Sequence, residues 1–201
     1  TPVPGLYGGT AIGARLHHTI VATDGSAPTI LCDPERLEVA EGGTATFRVK
    51  LAQAPAGAVP VRVTRFSGDS NVTVRDNAAL EFTAGNWNEY QTVTLAAAED
   101  DDAYGDEAVF ECSAPGWNSA ALSAAESDND TWLRLVAMPG GTVSPDDWVL
   151  VTKGAPTPVA AVPAAGGAFV DWTANTVSTV FGDAHAPATT VAIFEETTVL
   201  G

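Results

Sequence analysis

The chain has 201 residues and a formal net charge of -16, from 25 acidic and 9 basic side chains. That imbalance argues against nucleic acid, whose phosphates require a basic footprint, and equally against anionic membrane surfaces. It suits a secreted protein, a cation-binding surface or a saline habitat. No apolar run approaches the ~18 residues that would encode a transmembrane helix.

Residues 1–26 open with Gly and Pro and contain one alternating piece, ARLHHTIVA, from Ala14 to Ala22. Leu16, His18 and Ile20 share one face of it, and Arg15, His17, Thr19 and Val21 the other. The region is longer than a simple connection between elements. It predicts an extended arm able to add a strand to an exposed sheet edge through Leu16, His18 and Ile20. The other reading is a leader, or a strand that folds back on its own chain. The start at Thr1 fits a processed secreted protein and equally an excised piece of a longer one.

Residues 27–130 carry eighteen acidic and six basic side chains. Helix signals are nearly absent, and short alternating runs bounded by Gly, Pro, Asn and Asp predict an all-β protein. Strands are predicted at Thr29–Cys32, Glu38–Val39, Thr44–Ala52, Val59–Phe66, Val72–Arg75, Ala79–Phe82, Tyr90–Ala97, Ala108–Ser113 and Ala120–Ala125. In LEVAEGGTATFRVKL, Phe47, Val49 and Leu51 fall on one face and Thr46, Arg48 and Lys50 on the other. Turn sequences such as Ala54-Pro55-Ala56-Gly57 and Ser67-Gly68-Asp69 separate the strands. Short strands at this spacing describe a Greek-key sandwich. Residues 131–201 are nearly neutral by comparison, with six acidic and two basic side chains.

The succession VAEGGTATFRVKL, ALEFTAGNW, YQTVTLAAAEDDDAYGDEAVFECSAPG and SAAESDND resembles a Calx-beta-type domain of bacterial surface proteins. The resemblance implies a seven-stranded immunoglobulin-like sandwich over residues 27–130. From residue 131, LRLVAMPGGTVSPDDWVLVTKGAPTPVAAVPAAGGAFVDW resembles the divergent internalin-type bacterial repeat, a small β-grasp-like module of secreted proteins. Gly140, Gly141, Val143, Ser144 and Pro145 match its turn, and Ala161, Pro163 to Phe169 and Trp172 its central segment. Such repeats end on a short aromatic-terminated strand that is lacking here, so the last pairing is expected to be incomplete or completed by something else.

The best candidate site is acidic. Glu41 lies in a first turn, Glu99 to Asp102 follow a strand, Asp106 and Glu107 open the next, and Asp128 and Asp130 end the region. In a Greek-key sandwich such turns can converge, and hard carboxylate oxygens are what Ca²⁺ takes. The Calx-beta resemblance implies calcium at that end, with Glu41, Asp100, Asp101, Asp102, Asp128 and Asp130 at the matching positions. The plain alternative is a solvated acidic rim of a halotolerant protein.

Cys32 and Cys112 are compatible with one disulfide in an oxidising compartment, or with two buried free thiols. Of five tryptophans, Trp87 and Trp172 match structural positions and Trp132 sits at the junction. Trp117 and Trp148, in turns, are the candidates for stacking on a carbohydrate, against packing or subunit contact. His17, His18 and His185 form no metal-binding spacing, and no G-x-S-x-G elbow, phosphate-binding loop or zinc pattern occurs.

The expectation is a non-catalytic extracellular or cell-surface structural or adhesive protein, self-associating or joined to a neighbouring surface protein through its N-terminal strand. The alternative is a calcium- or carbohydrate-binding accessory module of a larger secreted enzyme or adhesin, with a polysaccharide as partner.

Overall fold

The computed structural model describes residues 27–201. Among them the chain forms seventeen strands and no helix, so the protein is all-β. All nine strands predicted over residues 27–130 are present, with ends within two residues of expectation. They are β1 (Ile30–Asp33), β2 (Arg36–Ala40), β3 (Thr44–Leu51), β4 (Val59–Gly68), β5 (Val72–Asp76), β6 (Ala79–Phe82), β7 (Gln91–Ala97), β8 (Glu107–Ser113) and β9 (Ala120–Ser127).

These build an immunoglobulin-like sandwich of two sheets, with strand orders β1-β3-β7-β5 and β2-β9-β8-β4-β6. The count is nine rather than seven because the first strand divides and the short β6 adds an edge. β1 pairs antiparallel with β3 in one sheet, and β2 pairs parallel with β9 in the other. The pleat then fills the core from both faces. Phe47, Val49 and Leu51 of β3, Val93 and Leu95 of β7, and Phe110 of β8 are fully buried. Burying side chains of this size contributes about 1.5–3 kcal/mol each before the ordering entropy is set against it.

The remaining strands are β10 (Asp130–Val136), β11 (Gly141–Ser144), β12 (Asp147–Thr152), β13 (Thr157–Pro163), β14 (Thr173–Ala174), β15 (Val180–Phe181), β16 (Ala188–Ala192) and β17 (Thr197–Leu200). They form two four-stranded sheets, ordered β12-β10-β17-β14 and β11-β13-β16-β15. A second core separates from the first and contains Leu133, Leu135, Val159, Trp172, Val191, Ile193 and Val199. Trp172, expected to be a core residue, is buried; it donates its indole N–H to the Ala186 carbonyl (2.9 Å) and packs against Phe169.

The expected incomplete last pairing is corrected here. β17 lies inside its sheet, parallel to β10 on one side and antiparallel to β14 on the other. Beyond it, Gly201 donates to Val136 O and accepts from Met138 N.

Candidate metal centre

The alternation of β9 turns Leu122, Ala124 and Glu126 to the same inward face. A two-residue period leaves no other outcome, so the apolar row ends on a carboxylate. Glu126 is only 7 % exposed, and within the described residues neither Oε1 nor Oε2 has a hydrogen-bond partner. An ionised carboxylate taken from water without a partner costs several kcal/mol, on the order of the effective penalties found for buried ions. A counter-charge would remove most of that cost.

Two other carboxylates approach it. Asp106 precedes β8, and its carbonyl accepts the Glu126 N–H at 2.7 Å, which fixes the two backbones together. Asp100 lies in the loop after β7. Its Oδ2 accepts from Asn71 Nδ2 (2.7 Å) and its Oδ1 from the Asp102 N–H (3.0 Å), so the side chain is held from two directions. One oxygen from each of Asp100, Asp106 and Glu126 lies within 4.8 Å of the others, and the group could hold a metal ion. Oxygens on opposite sides of one Ca²⁺ stand about 4.6–5.2 Å apart at the usual bond lengths. The spacing fits a hard cation, and the all-oxygen donor set disfavours softer metals.

Glu41 completes the arrangement. The β2–β3 turn is sharp because Gly42 adopts φ +64°, a left-handed conformation that L side chains rarely take. The turn aims the Glu41 carboxylate inward, where Oε1 accepts the Asp100 N–H (2.8 Å) and Oε2 the Asn129 N–H (3.0 Å). Glu41 thereby fixes the Asp100 loop and the link between β9 and β10 at once.

Electrostatics follow from this crowding. Burial, then the charges of Glu41, Asp100, Asp106 and Asp128, push Glu126 up to about 7. Asp106 is raised by burial and then by Asp69, Asp100 and Asp102. Asp128 is raised chiefly by burial, with a backbone hydrogen bond and Lys153 acting in the opposite direction. Lys153 donates to the Asp128 carbonyl at 2.8 Å. Like charges at such range disfavour full ionisation unless a cation joins them.

Of the six expected ligands, Asp100 is in the three-carboxylate group and Glu41 supports it. Asp101 and Asp102 are exposed and outside the group. Asp128 Oδ1 accepts the Asp130 N–H (2.5 Å), and Asp130 Oδ1 is buried without a partner among the described residues. The six-residue set omitted Asp106 and Glu126. The signal for Glu126 was in the sequence: Leu122-x-Ala124-x-Glu126 puts an acid in register with an apolar face.

Trp117 is half-buried against the sandwich core, whereas Trp148, expected in a turn, lies on β12 and is 43 % exposed, with the Arg134 guanidinium 5.6 Å from its ring centre. His185 is exposed. Cys32 and Cys112 face one another across the sandwich, with Sγ atoms 3.1 Å apart. Leu16, His18 and Ile20 lie outside the described residues.

No protein-family model and no curated protein matches the chain. Among solved structures, it is similar to a Bacteroides ovatus GH5 xyloglucanase in complex with a XXXG heptasaccharide. That match has 14 % identity and a TM-score of 0.37, over 55 % of this chain and 20 % of the other. A conjugative transposon lipoprotein from Bacteroides eggerthii matches at 17 % identity and TM-score 0.33, over 51 % and 98 %. The N-terminal Ig1-2 module of the Drosophila receptor protein tyrosine phosphatase DLAR matches at 14 % and 0.28, over 87 % and 98 %. The chain thus spans about a fifth of the xyloglucanase it matches. Scores at this level carry no function from those proteins to this chain.

Proposed function

We propose that the chain is a non-catalytic extracellular structural or adhesive protein whose sandwich binds Ca²⁺ at the end adjoining the second module. The observation that carries this is Glu126: nine-tenths buried, unpartnered, and grouped with Asp100 and Asp106. A bound cation would neutralise that group and hold the Asp100 loop and the start of β8 against the end of β9. Through Glu41 the same order would extend to Asn129, where one module passes into the next. The site would thus stiffen a joint rather than run a reaction. The Calx-beta and internalin-type resemblances and the acidic surface support the extracellular setting.

Isothermal titration of the chelator-treated protein with CaCl₂ tests it. A single saturable site that disappears in Glu126→Gln is expected. Heats that match buffer dilution, or an isotherm unchanged in Glu126→Gln, would overturn the assignment.

A carbohydrate-binding reading has one observation in its favour, the exposed Trp148 ring. Glycan-array signal lost in Trp148→Ala would support it.

A further inference from the structure

The described residues contain two thiols, and the fold brings them together from opposite sheets. Cys32 lies on β1, the edge strand of the first sheet, and Cys112 on β8, an interior strand of the second. They are 80 residues apart in sequence and 3.1 Å apart at Sγ. Cys112 is fully buried and Cys32 partly open to solvent. Neither takes part in the acidic centre, so thiol chemistry here is independent of the cation.

We propose that Cys32 and Cys112 are the two halves of an oxidatively closed staple, with Cys32 as the entry thiol and Cys112 as the resolving one. Three observations support it. The partner strands carry the side chains toward each other without any rearrangement of the ladder: Cys32 pairs with Val49 and Cys112 with Val63 and Ala120. Of the two residues, Cys32 is the more open to solvent, and Cys112 is fully buried. The pairing also polarises the two groups. Hydrogen bonding to Cys112 holds the Cys32 thiol below its ordinary range, whereas hydrogen bonding to Cys32, followed by burial, raises Cys112. The thiolate is the nucleophile in exchange, so attack begins at Cys32.

The oxidant is an external disulfide, either a small one or that of a dithiol oxidoreductase. Cys32 thiolate attacks one of its sulfurs, forms a mixed disulfide and expels the other as a thiolate. Cys112 then gives up its proton and attacks Cys32 Sγ, expelling the second external thiolate. Two protein thiols are oxidised to one disulfide, the external disulfide is reduced to two thiols, and both protons end on the products.

The structural effect is specific to β1. This strand has one ladder neighbour, β3, supplemented by Ile30 N–H to Asn118 O and Asn118 N–H to Pro28 O. A covalent link to β8 would anchor the sandwich's first strand to the interior of the opposite sheet.

The test is alkylation and intact mass of the full chain after incubation with oxidised glutathione. The product, denatured in iodoacetamide without reductant, is expected to be monomeric, unlabelled and lighter by two hydrogens. Prior reduction should give two labels and lower Tm by roughly 10 °C. Cys32→Ala should melt at one temperature with or without reductant. Two labels without reductant, a glutathione adduct on Cys112, one on Cys32 that persists instead of closing, or a disulfide-linked dimer would each overturn the proposal.

Discussion

Glu41 and Asn129 stand 88 residues apart in sequence, yet the Glu41 carboxylate accepts the Asn129 backbone N–H at 3.0 Å. The other oxygen of the same carboxylate takes the Asp100 N–H. One side chain therefore satisfies backbone donors from a loop and from the link between modules. Glu41→Ala leaves both amides without their acceptor. A loss of about 1–3 kcal/mol is expected for such uncompensated donors. Faster amide exchange at Asp100 and Asn129 is the local readout, and unchanged protection there would contradict the role.

Calcium should raise the melting temperature of the sandwich. A ligand bound only by the folded state stabilises it by about 2.7 kcal/mol when free at ~100 times its Kd. Differential scanning calorimetry with CaCl₂ against chelator reads the shift directly. In Glu126→Gln the two scans are expected to superimpose.

Without calcium, stability should fall as pH rises. Glu126 titrates near 4.5 when unfolded and at about 7 when folded, because burial and neighbouring carboxylates oppose its charge. A raised carboxyl binds its proton more tightly in the native state. The folded protein therefore carries more protons between those values, and stability drops through that interval. Below about 4.5 this group contributes no pH dependence, and above about 7 its loss is complete. Melting temperatures in chelator from pH 4 to pH 8 should show the decline, and Glu126→Gln should make it shallower, leaving the smaller share of Asp106 and Asp128, which are raised as well.

Gly105→Ala should damage the centre without touching an acidic side chain. A Cβ at Gly105 would meet the Glu126 carbonyl oxygen at 2.5 Å, so the strand bearing Glu126 must move. Overpacking of this kind costs about 1–3 kcal/mol. Weaker calcium binding by titration is the check, with Gly57→Ala as the control, since nothing lies within 4 Å of its added carbon and its backbone is not left-handed.

The two cores should respond separately to cavities. Phe47→Ala empties the sandwich core and Trp172→Ala the second one, each at about 3–5 kcal/mol. Calorimetry should show one transition displaced by the first change and a different one by the second. A single transition displaced equally by both would mean the modules unfold together.

Most of the sandwich was legible because its strands obey a two-residue period with turn residues between them. Phe47, Val49 and Leu51 needed nothing further to be placed. β1 and β2 were legible as separate strands, but not as members of different sheets, since crossing from sheet to sheet leaves no mark on periodicity. The site was half legible. Runs of Asp advertise themselves, so Asp100 to Asp102 drew notice, yet two of these three remain exposed. Glu126 was overlooked because acids near a strand end read as solvated charge. Its phase with Leu122 and Ala124, not its neighbours in sequence, decides where it goes. The interior place of β17 was illegible for a different reason: parallel pairing with β10 joins residues that share no local pattern.

That interior place sets an order for biosynthesis. All nine described strands of the sandwich exist once β9 is translated, and it can begin to fold while the rest of the chain is still emerging. The second module cannot do so. β10 lacks its inner neighbour until Thr197–Leu200 has left the ribosome, because β17 is the strand that joins β10 to β14. Premature termination or proteolysis before that segment would leave a folded sandwich trailing a module with an open seam, exposing Leu133 and Leu135 to whatever sticky surface comes near.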